Sequence, residues 1–300
     1  MEIGKILLAT DGSEESEKAL DYTLYLAGVF DASVVALYVS EIHFPLTSLL
    51  PIYEDTVIEI AEKTENSFKE SFDKMSERFK ERDIPFSSKI VRDGTVEGII
   101  KTADTEGAGL IVMGKRGRGF ISSSLIGSNT IKVLRNIGTP VLAVRSKGDA
   151  QSINIRKILV PVDISDASVS ALPEAISLAG GLGAEVIAVY VFWLDGTAYE
   201  IPPRLVDELI EHSQSELARI VEAESSPFVK SETKGTGVKI SNQVLHGISP
   251  SFALREYARE NAVDLIVVKT HGRKGISRLL YGSETEKIIQ ESPCPVLAVK

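Results

Sequence analysis

IVMGKRGRGFISSSLIGSN, residues 111–129, is the stretch whose reading decides the fold. It opens as an apolar, strand-like run that ends in Gly114. Two residues separate Gly114 from Gly117, and nine separate Gly117 from Gly127-Ser128. Glycines at such places let a backbone approach a ligand without a Cβ in the way. Ser128, Asn129 and Thr130 would open a helix, and the first amides of a helix have no intrahelical acceptor. Successive free amides at a helix start form an anion site, favoured further by the macrodipole. Lys115, Arg116 and Arg118 add positive charge, and no acid occurs between residues 107 and 148. The stretch therefore reads as a phosphate cradle, with a solvated basic loop as the alternative role for its three cations.

The chain carries an imperfect second copy, LIVVKTHGRKGISRLLYGSE at 265–284. KILLATDGS (5–13) matches KILVPVDIS (157–165), and VVALYV (34–39) matches VIAVYV (186–191), both at an offset of 152. GLIVMG (109–114) matches DLIVVK (264–269), and TPVLAVR (139–145) matches CPVLAVK (294–300), both at an offset of 155. Two copies, each as long as a domain, indicate duplication and not a solenoid. The expected domains are 1–147 and 154–300, joined by a polar linker at 146–155.

Within a copy, strands alternate with helices. Lys5–Thr10 is short, apolar and continuous, as in a strand buried on both faces. Ser13 is placed to cap the next helix, with Glu14 and Glu15 in its first turn. Further strands are expected at 33–39, 86–91, 109–113 and 140–144, and helices at about 55–82, 95–107 and 128–137. In the second copy the second helix shortens to about 203–224. Five strands alternating with four helices predict an α/β fold, an open parallel sheet covered on both faces. Ligands of such sheets bind at the carboxyl ends of strands, where Asp11 and Gly114 lie. In helix 55–82, Val57, Ile60, Ala61, Thr64, Phe68, Phe72, Met75 and Phe79 recur at helical spacing and predict a core face. The apolar stretch 43–53 ahead of it suits a lid or a contact with a neighbouring chain.

Composition narrows the function classes. The net charge of −9 argues against general affinity for nucleic acid. No apolar run reaches the length that spans a bilayer, and the N-terminal apolar run is too short for a secretory segment. The lone Cys294 permits no intrachain disulfide. His43, His212, His246 and His271 show no metal-binding spacing. A soluble cytoplasmic protein is expected. No Walker A sequence is present, and the cradle loop offers no acid as general base or magnesium ligand.

These residues resemble the universal stress protein family, as a tandem two-domain member of its ATP-binding branch. The family's motif G-x2-G-x9-G-[ST] is matched by Gly114, Gly117, Gly127 and Ser128. Its strand-1 aspartate is matched by Asp11 and Asp163, its strand-2 valine by Val39 and Val191, and its closing PVL-apolar-V strand by 140–144 and 295–299. The resemblance implies a Rossmann-like, adenine-nucleotide α-hydrolase-like fold with strand order 3-2-1-4-5. It implies a regulatory protein of the stress response that binds ATP or AMP, with Mg²⁺ carried by the phosphates. Asp11 and the backbone at Val39 would surround adenosine, and Gly114, Arg116, Gly117, Gly127 and Ser128 the phosphates, with Ala9, Thr10, Met113, Arg118 and Asn129 also expected at the nucleotide site. Asp11 is equally explained as a turn or cap residue, and Val39 and Val191 as buried strand residues whose main chain alone meets a ligand. The matching second-copy positions are Asp163, Val191, Gly272, Gly282 and Ser283. There Lys269 replaces the first glycine and Glu284 replaces Asn129, so the nucleotide is expected mainly in the first copy. A lysine at 269 either blocks backbone approach or meets a phosphate. Glu284 repels a phosphate, with His271, Arg273, Lys274 and Arg278 opposing that repulsion. Partners implied are an adenine nucleotide and an unidentified protein, with no nucleic acid and no membrane. The family's use of strand 5 implies an intrachain pseudo-dimer through 140–144 and 295–299, or a homodimer. Slow ATP hydrolysis or phosphotransfer, and an interaction module without nucleotide, are the competing readings.

Overall fold

The computed structural model describes residues 1–41, 54–115, 126–145, 153–165, 170–193, 202–229, 237–270 and 283–300. By contacts the chain divides into Glu2–Ser146 and Lys147–Lys300, the latter taking Met1.

The first unit runs β1 (Lys5–Ala9), α1 (Glu14–Phe30), β2 (Ser33–Ser40), α2 (Glu54–Lys80), β3 (Phe86–Arg92), α3 (Thr95–Glu106), β4 (Leu110–Gly114), α4 (Ser128–Asn136) and β5 (Val141–Val144). All pairings are parallel, in the order β3-β2-β1-β4-β5. The central strands are apolar without alternation because helices cover both faces: Ile6, Leu7 and Leu8 are wholly buried. Ser13 sits at the N-cap of α1 and its side chain accepts the Ser16 N–H, as the spacing predicts.

The second unit runs β6 (Lys157–Pro161), α5 (Leu172–Leu182), β7 (Glu185–Phe192), α6 (Pro203–Val229), β8 (Ile240–His246), α7 (Pro250–Glu260), β9 (Leu265–Lys269), α8 (Ser283–Glu291) and β10 (Val296–Val299). Its strands are parallel in the order β8-β7-β6-β9-β10. α6 extends to Val229, five residues past the expected end.

Helix α2 corrects one expectation. Phe68, Phe72, Met75 and Phe79 are buried, Phe68 stacking on Tyr38 and Phe79 on Phe86. Ile60, assigned to the same face, is 61% exposed. Lengths explain this. A helix of 27 residues spans about 40 Å, whereas the eight residues of β2 span about 26 Å. The helix outruns its sheet, and apolar periodicity does not mark where the sheet stops.

Two carboxylates tie α2 and α3 to the edge of this sheet. Glu65 accepts two bonds from Arg92, at 2.8 and 2.9 Å. Those bonds hold its carboxyl below the usual glutamate value against the opposing push of burial. Glu106 is held low by its hydrogen bonds to Lys89 and Lys5. A depressed folded-state value contributes stability that is fully present above the unfolded value of about 4.3 and lost as pH falls through the folded value. Glu65→Gln is therefore expected to cost about 1 kcal/mol at about pH 7, discounted for the exposed Arg92, and progressively less as pH falls below about 4.3. Urea unfolding of both proteins across that range checks the convergence.

Candidate functional site: a cavity at the carboxyl edge of the first sheet

The two described ends of the glycine-rich stretch meet. The Lys115 N–H bonds the Val144 carbonyl at 2.6 Å, and the Gly127 N–H bonds the Lys115 carbonyl at 2.8 Å. The Thr130 hydroxyl donates to the Gly114 carbonyl at 3.1 Å. These bonds bring the end of β4 against the start of α4. Lys115, for which a solvated loop cation was the alternative role, is only 4% exposed.

Gly127 is the N-cap of α4, with φ −64° and ψ 142°, and provides no capping side chain. That backbone suits any residue, so local conformation does not demand glycine there. The first turn of α4 contains no acid. The other helix starts of this unit differ. α1 has Ser13 and three first-turn glutamates. α3 has Glu41, which accepts the Thr95 N–H at 2.8 Å and the Thr95 hydroxyl. Among the described helix starts of this unit, α4 alone has neither a capping side chain nor a carboxylate.

The α4 start opens on a cavity of about 360 Å³. Ala9, Thr10, Asp11, Val39, Met113, Gly114, Gly127, Ser128 and Asn129 all line it. They come from β1, β2, β4 and α4, so residues up to 120 positions apart share one wall. Thr10 is held by its N–H on the Leu37 carbonyl, and Asp11 accepts the Ser13 N–H and the Ser16 hydroxyl. Asp11 thus builds the turn into α1 and also faces the cavity. Arg116, Gly117 and Arg118 lie outside the described residues.

Sequence reasoning missed Leu37, Tyr38, Glu41, Thr95 and Ile99 on the same wall. Thr95 and Ile99 occupy the first turns of α3, which no motif flags. Glu41 could have been found as the lone acid closing an apolar strand. Its wall combines the apolar side chains of Leu37, Val39, Ile99 and Met113 with the start of α4. Such a chamber accommodates a flat apolar group joined to an anion.

Gly98 of α3 supports the apolar wall. A Cβ there would stand 2.9 Å from Val39 Cγ1 and 3.0 Å from Cγ2. Valine is stiff at χ1 and yields poorly. Gly98→Ala is expected to narrow the cavity, lower ligand affinity about tenfold, and cost about 1–2 kcal/mol before any gain in helix propensity. Calorimetric titration together with thermal unfolding checks both parts.

In the second copy the Asp163 carboxylate accepts the Ser165 N–H and hydroxyl, and Val191 is buried in β7. The Lys269 ammonium lies 3.9 Å from Glu174 on α5. Gly272, Gly282, the side chain of Ser283, His271 and the stretch 43–53 lie outside the described residues.

Comparison with known proteins identifies this architecture. The family model described as "Universal stress protein family" matches residues 2–145 and again 154–300. A universal stress protein of Mycolicibacterium smegmatis is 27% identical over 302 residues, covering 98% of this chain and 96% of its own. One from Methanocaldococcus jannaschii is 38% identical over 148 residues, covering 48% of this chain and 82% of its own. The crystal structure of a universal stress protein from Archaeoglobus fulgidus aligns over 100% of this chain and 99% of its own, with TM-score 0.67 and 22% identity, a likeness of fold. Two successive family matches, on two units of one topology, show that the chain belongs to the universal stress protein family as a tandem member.

Proposed function

We propose that the first copy binds an adenine nucleotide, ATP or AMP, and that occupancy regulates how this stress protein engages a protein partner. The observation that carries this reading is the acid-free start of α4, whose N-cap has no capping side chain, facing a cavity of mixed lining at the carboxyl ends of β1, β2 and β4. The Ser128 and Asn129 region would hold phosphate, while Val39, Ile99 and Met113 would flank the base. Any Mg²⁺ would arrive on the phosphates, since no metal-binding cluster of His, Cys, Asp and Glu occurs among the described residues. No helix among them is long and apolar enough to cross a membrane, which accords with a cytoplasmic regulator.

The nucleotide is placed in the first copy because the second differs where contact would be closest. Lys269 stands for Gly114, Ala253 for Gly98, and Glu284 for Asn129. The test is to denature the purified chain and chromatograph what it releases. About one adenine nucleotide per chain is expected. No nucleotide released, together with no ATP binding by calorimetry, would sink the reading in favour of a nucleotide-independent interaction module.

A further inference from the structure

We infer that Glu284 is a built-in anion of the second copy, bridging its two helix starts and excluding a nucleotide phosphate from that copy. The inference rests on the first-copy reading above. Two helix starts frame the first-copy cavity: α3, through Thr95, and α4, through Ser128–Thr130. Aligning N-cap Gly94 with N-cap Ser249, and Ser128 with Ser283, places α7 on α3 and α8 on α4 at one offset of 155. Glu284 then takes the position of Asn129, and Ser251 that of Val96. Glu284 Oε2 accepts the Ser251 N–H at 3.1 Å, and its Oε1 accepts Lys287 Nζ at 2.7 Å. A side chain from the α8 start thereby reaches the α7 start, from the position that in the first copy, as Asn129, lines the cavity.

The substitution has a traceable cause. In the first copy the α3 start receives its carboxylate from Glu41, at the end of β2. The second-copy counterpart of Glu41 is Trp193, at the same offset that aligns Val39 with Val191. Pro250, the counterpart of Thr95, has no N–H or hydroxyl to offer, so the α7 amide that takes a carboxylate is that of Ser251, and it takes it from α8. A carboxylate at a helix start is favoured by the macrodipole. Burial raises the Glu284 carboxyl, but bonds from Lys287 and Ser251 more than offset this and hold it below the usual glutamate value. It is ionised at neutral pH. A phosphate entering at the α8 start meets a fixed like charge where the first copy has the neutral Asn129.

The test uses the full chain with ATP as probe in calorimetry. Wild type is expected to bind one ATP, lost in Gly127→Val. Glu284→Asn, which restores the first-copy residue, is expected to bind a second ATP, and Gly127→Val/Glu284→Asn to bind one. Glu284→Gln, of equal size but uncharged, is expected to gain at least tenfold in second-site affinity over wild type, and stands in if the Asn variant misfolds. A folded Glu284→Asn or Glu284→Gln that still binds one ATP overturns the inference and leaves the first-copy reading intact. So does a second site that appears only when Lys269→Gly is added, since the exclusion then belongs to Lys269. Wild type binding two also overturns it, whereas wild type binding none overturns the first-copy reading.

Discussion

Gly127→Val is expected to weaken adenine-nucleotide binding at least a hundredfold while leaving the chain folded. A hundredfold corresponds to about 2.7 kcal/mol. The extended backbone of Gly127 is one that valine adopts without strain, so the substitution acts through volume. Gly127 is buried, lines the cavity, and stands directly ahead of the Ser128 and Asn129 amides. A branched side chain there must occupy ligand space or displace the cavity wall. Its backbone bond to Lys115 involves only the main chain and persists. Overpacking would cost about 1–3 kcal/mol of stability, a lower melting temperature but a native far-ultraviolet spectrum. Titration calorimetry reads the affinity. A folded variant binding within threefold of wild type would show that the α4 start is not the anion site.

The largest stability effect is expected from Phe79→Ala, a loss of about 3–5 kcal/mol. Phe79 is fully buried and stacks on Phe86 of β3, with centroids 4.7 Å apart and planes 12° from parallel. Its carbonyl accepts the Arg82 and Ile84 N–H groups, so the same residue closes the end of α2 and pins that end to the sheet. Removing the ring leaves a void that the close packing of α2 on β3 cannot refill. Urea denaturation followed by circular dichroism measures the loss. A value below about 1.5 kcal/mol would mean that the site collapses readily and that α2 is held elsewhere.

Some of this molecule was legible in the sequence, and the reason lies in particular residues. Ile6–Leu8 read as a strand because burial on both faces leaves no polar alternation. The α1 cap was legible because Ser13 and Ser16 are neighbours in the chain. Gly114, Gly127 and Ser128 were legible as a group because one loop carries all three. Glu41 to Thr95 was not, nor was Glu284 to Ser251. Each bond joins elements dozens of residues apart, and neither has a local pattern. The buried position of Lys115 was hidden for a related reason, since the bonds that fold it inward run to Val144 and Gly127. In α2 the periodicity located the core face but not its extent, because the sheet's edge is set by β2 and β3.

The most direct measurement is the number of ATP molecules bound per full-length chain, by calorimetry, in wild type and in Gly127→Val. The account predicts one site in wild type and none in the variant. Two equivalent sites in wild type, or one site that survives Gly127→Val, would contradict it.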